Sequence, residues 1–156
     1  MKTNLFLTHF DNTVIAVCKR FAYSFARFAL FLVYFWFGIL KVITESPANP
    51  LVDSLLQRTL PFMSFETFIL LFGLLEVLIG ILFLFPKMTR LVISLLFLHM
   101  ITTFMPLVFL PQLVWTAPFV PTLEGQYIIK NVLIIAVALE IVSHLHPHLP
   151  QSRKSA

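Results

Sequence analysis

The stretch FETFILLFGLLEVLIGILFLF, from Phe65 to Phe85, limits what this chain can fold into more than any other. About 20 apolar residues at 1.5 Å rise cross the roughly 30 Å hydrocarbon core of a bilayer, so the stretch predicts a membrane-spanning helix. Glu76 then falls near the midplane, where an ionised side chain is costly unless a polar partner or a proton neutralises it. Gly73, Glu76 and Gly80 stand at i, i+3 and i+7 on one seam. Two missing side chains on that seam let a neighbouring helix come close to the carboxylate. Glu76 is therefore expected to face protein rather than lipid.

Composition agrees with a lipid environment. The 156 residues are 59% hydrophobic and 12% charged, with a mean hydropathy of +0.94, whereas soluble domains carry about 25% charged residues. The formal net charge of +4 does not indicate nucleic acid, because the basic residues are scattered between apolar segments and form no stripe interleaved with aromatics. Cys18 is the single cysteine, which excludes an internal disulfide or a paired-cysteine metal or redox motif. No metal site is expected. His99 has no second ligand at a suitable spacing, and His144, His146 and His148, flanked by Pro147 and Pro150, read as a solvated tail.

The expected fold class is all-α: a polytopic membrane protein with four spanning helices in an up-down bundle. Residues 1–20 read as a separate segment, either amphipathic on the membrane surface or disordered, with no signal-peptide cleavage pattern. Residues 21–144 form the membrane domain, with spans at about 21–42, 65–85, 91–110 and 126–144, and residues 145–156 form a tail. Asn49 and Pro50 read as the N-cap and first residue of a short amphipathic helix, which Pro61 ends, lying as an outer lid between spans 1 and 2. The second and third spans are joined only by Pro86 to Arg90, which forces an antiparallel hairpin. The loop from Pro111 to Gly125 reads as extended and interfacial, with Trp115 at headgroup level.

Orientation comes from the bases. Lys2, Lys19, Arg20, Lys87, Arg90, Arg153 and Lys154 share one side, against Arg58 alone between the spans on the other, so both termini are expected to be cytoplasmic. Within each span the polar residues keep helical spacing. Arg27, Tyr34, Gly38 and Lys41 share a face of the first, and Thr102, Thr103 and Pro106 continue the face of His99 in the third. Lys130, Leu133, Val137, Glu140 and His144 follow a heptad-like seam in the fourth. Layered by depth, these give a polar intramembrane pocket of Lys41, Glu76, His99, Lys130 and Asn131, with a Glu76 to His99 contact within reach. They also give a structural ion pair of Arg27 with Glu140 at the inner end, and close helix packing at Gly38, Gly73 and Gly80. For His99, a neutral imidazole bonded to a carbonyl or hydroxyl and a proton-handling group both fit.

Arg27, Gly38 and Lys41 in the spacing R-x10-G-x2-K, GLLEVLIG in the second span, TTFMP closing the third and GQYIIKN opening the fourth resemble, in order and spacing, the DoxX-like superfamily of small four-helix bacterial membrane proteins. The likeness covers roughly residues 24 to 142 and is nearest to the inner-membrane branch associated with resistance to reactive chlorine. It places Arg27, Lys41, Glu76, Lys130 and Asn131 at the polar positions of that pattern. The branch usually reads K-D where this chain has Lys130 and Asn131. The resemblance implies a bacterial inner-membrane location and a quinone-linked or redox-associated role in oxidative-stress defence.

Three classes of function fit the residues. The first is a redox component that binds a quinone or other lipid-soluble ligand, with Lys41 or Lys130 donating to a carbonyl and Glu76 or His99 handling a proton. The second is an assembly module whose polar seams hold its helices in register or contact another membrane or redox protein, or a second copy of the chain. The third, a small permease, ranks last because no inverted repeat or interrupted helix is expected. No nucleophile triad, phosphate loop or cofactor-attachment motif occurs, so an enzyme acting alone is not expected and no cofactor is assigned from the residues themselves.

Overall fold

A computed structural model describes residues 5–43 and 46–146. Lys2, Glu45, His148, Arg153 and Lys154, with most of the expected tail, lie outside the described residues. Helices dominate: α1 Leu5–Ile43, α2 Asn49–Thr59, α3 Phe65–Phe83, α4 Thr89–Phe104, α5 Pro106–Phe109, α6 Pro111–Val114, α7 Leu123–Lys130 and α8 Val132–Ser143. Four segments are long and apolar enough to cross a membrane: Leu7–Ile43, Phe65–Phe83, Pro86–Phe109 and Leu123–Ser143.

The expected break between an N-terminal segment and the first span is absent. α1 is one helix of 39 residues, about 58 Å long at the usual rise. Its sequence explains this, since neither glycine nor proline occurs in it before Gly38 and kinks need such residues.

α1 packs along α3 over a longer contact than any other pair of elements. Glycine makes this approach achievable. A Cβ at Gly38 would lie 2.7 Å from the backbone nitrogen of Val77 and 2.8 Å from the carbonyl oxygen of Gly73, and one at Gly80 would lie 2.7 Å from the nitrogen of Phe35. The matched positions run in opposite directions along the two helices, which are therefore antiparallel. Around this seam the core is built from Leu30, Ile79, Phe83, Leu96, Ala138 and Ile141.

The short connections follow local chemistry. The side chain of Ser64 caps α3 by accepting from the Thr67 amide. Phe85 is extended ahead of Pro86, and a 3-10 turn, Pro86–Met88, leads into α4. α2 begins at Asn49 itself, with Ala48 at the cap position and no side-chain capping bond, so Asn49 is not the N-cap that the proline suggested. α2 packs against α3 and α5, and Leu56 is the residue that it buries.

Two of the spanning segments are interrupted, contrary to expectation. The third changes at Met105, because Pro106 has no N–H to donate to Thr102. The fourth breaks at Asn131, whose Nδ2 donates to the Tyr127 carbonyl and whose amide reaches back no further than the Ile128 and Ile129 carbonyls. Between them, the expected extended loop contains α6 and a small antiparallel hairpin, Trp115–Ala117 with Val120–Pro121. Phe119 at its tip has φ 62° and is 94% exposed. Trp115 is held by a hydrogen bond from Nε1 to the Leu107 carbonyl.

Candidate functional site

Three helices bring their polar residues to one point. Lys41, one turn past Gly38 on α1, donates from Nζ to Glu76 Oε2 at 2.6 Å. Glu76 Oε1 lies 3.0 Å from His99 Nε2 on α4. The Lys41, Glu76 and His99 side chains are 7%, 8% and 5% exposed. The Glu76 to His99 contact that depth alone made feasible is thus formed, and Lys41 completes a row.

The imidazole orientation follows from its partners. A carboxylate only accepts, so His99 Nε2 carries a proton and donates it to Oε1. That leaves Nδ1 as acceptor in the neutral ring, with the Tyr34 hydroxyl at 3.4 Å and the Thr103 hydroxyl at 3.3 Å. Thr103 also donates to the His99 carbonyl at 3.1 Å, as does Thr102 at 2.7 Å. With Thr103 committed to the carbonyl, Tyr34 is the donor to Nδ1. The row therefore reads Lys41, Glu76, His99, Tyr34: a cation, a carboxylate, an imidazole and a phenol in hydrogen-bonded sequence.

Aromatic faces fix two of these groups. Phe72, one turn before Glu76 on α3, stacks on His99 with ring centroids 4.8 Å apart, and Lys41 Nζ lies 5.8 Å from the centre of the same ring. Tyr34 meets the imidazole edge-on at 5.3 Å. Glu76 takes one of the three ammonium protons of Lys41 and the Phe72 ring attracts the charge, so Lys41 keeps N–H capacity for a further acceptor. No group of three or more candidate metal ligands gathers among the described residues.

The remaining expected site residues lie elsewhere. Lys130 is exposed and stands over the Tyr127 ring at 5.2 Å, and Asn131 is spent on the break between α7 and α8. Neither joins Lys41, Glu76 and His99. Arg27 and Glu140 do not form an ion pair among the described residues. Arg27 Nη1 donates to Thr89 Oγ1 at 2.7 Å and to the Tyr23 hydroxyl at 3.3 Å. Glu140 has a side chain 65% exposed, with His144 as its neighbour at 3.9 Å. Both departures have one cause. Lys130, Leu133 and Glu140 on the expected seam are all exposed, on both sides of Asn131, because the segment turns Ile128, Ala138 and Ile141 inward instead.

Sequence reasoning left Tyr34, Phe72 and Thr89 out of the site. Tyr34 had a signal, since it stands at i−7 from Lys41 on the polar face of α1; Phe72 and Thr89 had none beyond helical spacing. No protein-family model, curated protein or solved structure matches the chain.

Proposed function

We propose that this is a DoxX-like inner-membrane protein with both termini in the cytoplasm, its spans arranged as an up-down bundle, that serves a quinone-linked or other redox-associated step of oxidative-stress defence. In this reading Lys41 donates to a carbonyl oxygen of a lipid-soluble ligand, and Glu76 with His99 exchanges the proton that accompanies reduction or oxidation of that oxygen. The observation that carries it is the buried row Lys41, Glu76, His99 and Tyr34. A carboxylate against one imidazole nitrogen and a phenol against the other form a path along which a proton can move without a charged group leaving its partners. In this reading a partner redox protein supplies or takes the electrons.

The test uses protein purified from its membrane in a mild detergent. Mass spectrometry of the extracted lipids should find a carbonyl-bearing, lipid-soluble molecule retained by the native chain and lost from Lys41→Met. A strain lacking the protein should regain survival under hypochlorous acid with the native chain but not with Glu76→Gln, at equal amounts of folded protein by gel filtration. No retained molecule, together with full protection by Glu76→Gln, would reject this reading.

An assembly module is the second reading, and one observation favours it. Lys130 and Glu140 are exposed on the fourth apolar segment, where a lipid-facing charge at either end is stabilised by a polar contact with a neighbouring membrane protein or a second copy. Cross-linking from Lys130 to another polypeptide in intact membranes would support it, and exclusively monomeric protein there would not.

A further inference from the structure

Arg27 is the least compensated charge in the described structure. It is 5% exposed, its Nη2 is buried with no hydrogen-bond partner, and no carboxylate lies within ion-pair distance among the described residues. Long basic side chains near the ends of membrane helices normally extend their charge into water. This one is folded inward, held by a threonine and a tyrosine.

Its depth follows from the packing. Phe35 lies against Gly80 and Gly38 against Val77 on the antiparallel α3. Counting back along α1 sets Arg27 level with the Pro86–Met88 turn, where the hydrogen bond to Thr89 finds it. That turn joins two membrane-crossing segments and so lies at the boundary between acyl chains and headgroups. Lys87 and Arg90 flank Thr89 there, both exposed, and Arg90 is bonded to the His146 carbonyl at 2.6 Å. Tyr23 meets the His144 ring at 5.0 Å, and Glu140 is a neighbour of His144 at 3.9 Å rather than of Arg27.

We propose that Arg27 is an oxyanion site, which takes a phosphate group through both terminal guanidinium nitrogens when Tyr23 turns aside. Two of its present partners suit that exchange. The Thr89 hydroxyl is fixed, because it donates to the Pro86 carbonyl at 2.6 Å and accepts from Nη1. Tyr23 is half-buried, bonded at only 3.3 Å, and lies over the guanidinium with its ring centre 5.6 Å from Cζ. Its displacement costs a weak hydrogen bond and frees an Nη1 proton beside the unpartnered Nη2, and a phosphate offers two oxygens at the spacing of the guanidinium fork. A lipid headgroup and a free phosphate share this chemistry. The site is independent of the one at Lys41.

The full-length protein in a nonionic detergent provides the test, with thermal unfolding and native mass spectrometry as readouts. Dioleoylphosphatidylglycerol should raise the unfolding temperature and remain bound as one copy, whereas dioleoylglycerol, which lacks the phosphate, should do neither. Saturation by the phospholipid at lower concentration than inorganic phosphate identifies a headgroup as the source, and the reverse order identifies a soluble anion. Arg27→Lys keeps the charge but loses the fork, and should weaken binding by about tenfold or more. Tyr23→Ala should retain it. Arg27→Gln should abolish binding, and Arg27→Lys serves if Arg27→Gln fails to fold. Two results would overturn the proposal: equal binding by native protein and Arg27→Lys, or no response to either phosphate source. A loss of stability in Glu140→Gln without phosphate binding would make Glu140 the counter-ion instead.

Discussion

Replacing Lys41 and Glu76 singly and together gives a sharp test of the buried row. The two groups are 2.6 Å apart with side chains less than a tenth exposed, so each is what makes the other tolerable. Lys41→Met leaves Glu76 ionised with His99 as its remaining donor, and breaking a buried pair in this way costs about 3 to 5 kcal/mol. Glu76→Leu is the worse change. It leaves the ammonium uncompensated and also removes the acceptor of the His99 Nε2 proton, which adds about 1 to 3 kcal/mol for an unmet buried donor. The double variant removes both charges and retains only the imidazole defect. It should be more stable than Glu76→Leu, with a coupling of about 3 kcal/mol or more in the cycle. Glu76→Gln falls between: its amide oxygen still accepts from Lys41 and its NH2 faces the imidazole, which must adopt the other tautomer. Unfolding in mixed micelles with increasing dodecyl sulfate, followed by circular dichroism, supplies all four free energies. Strictly additive losses would show that the pair contributes nothing to the fold and that neither charge depends on the other.

Gly38→Ala should destabilise by about 1 to 3 kcal/mol, because its Cβ would meet backbone at 2.7 and 2.8 Å and no side chain can give way; the same unfolding titration measures it. Tyr34→Phe should cost about 1 kcal/mol and shift the ring resonances of His99, since it deletes the hydroxyl facing Nδ1; an unchanged spectrum would remove Tyr34 from the row. With Cys18 changed to Ser, a cysteine at Phe119 should react with an impermeant thiol reagent in intact cells and one at Met88 should not. Labelling at Met88 would reverse the proposed orientation. Thr122→Ala should destabilise by about 1 kcal/mol, because its hydroxyl accepts from the Gly125 amide and donates to the Leu113 carbonyl; thermal unfolding reads it.

Sequence made legible which residues share a helix face, but not where each face points. Gly38, Gly73, Glu76 and Lys41 meet because α1 and α3 are regular where they pack, so residues three, four and seven apart do share a face. His99 followed from depth alone. The fourth segment shows the limit: Lys130, Leu133 and Glu140 do keep to one face, but that face is exposed, while Ile128, Ala138 and Ile141 are buried. Periodicity says which residues share a face and not which way the face points. Arg27 and Thr89 illustrate a second limit, since their bond joins residues far apart in the chain and neither carries a pattern that announces the other.

The uninterrupted length of α1 has a mechanical consequence. Packing holds the helix from Gly38 back to Tyr23, while Leu5 lies 18 positions before Tyr23, about 27 Å further along the axis. A stiff rod held along one half acts as a lever. A tilt of about 5° in the held half would carry the far tip sideways by about 2 Å relative to its last contact. Small adjustments of charge or ligand beside Lys41, too slight to detect in the spacing of α1 and α3, would therefore arrive at the N-terminal end as a displacement large enough for a neighbouring protein to sense.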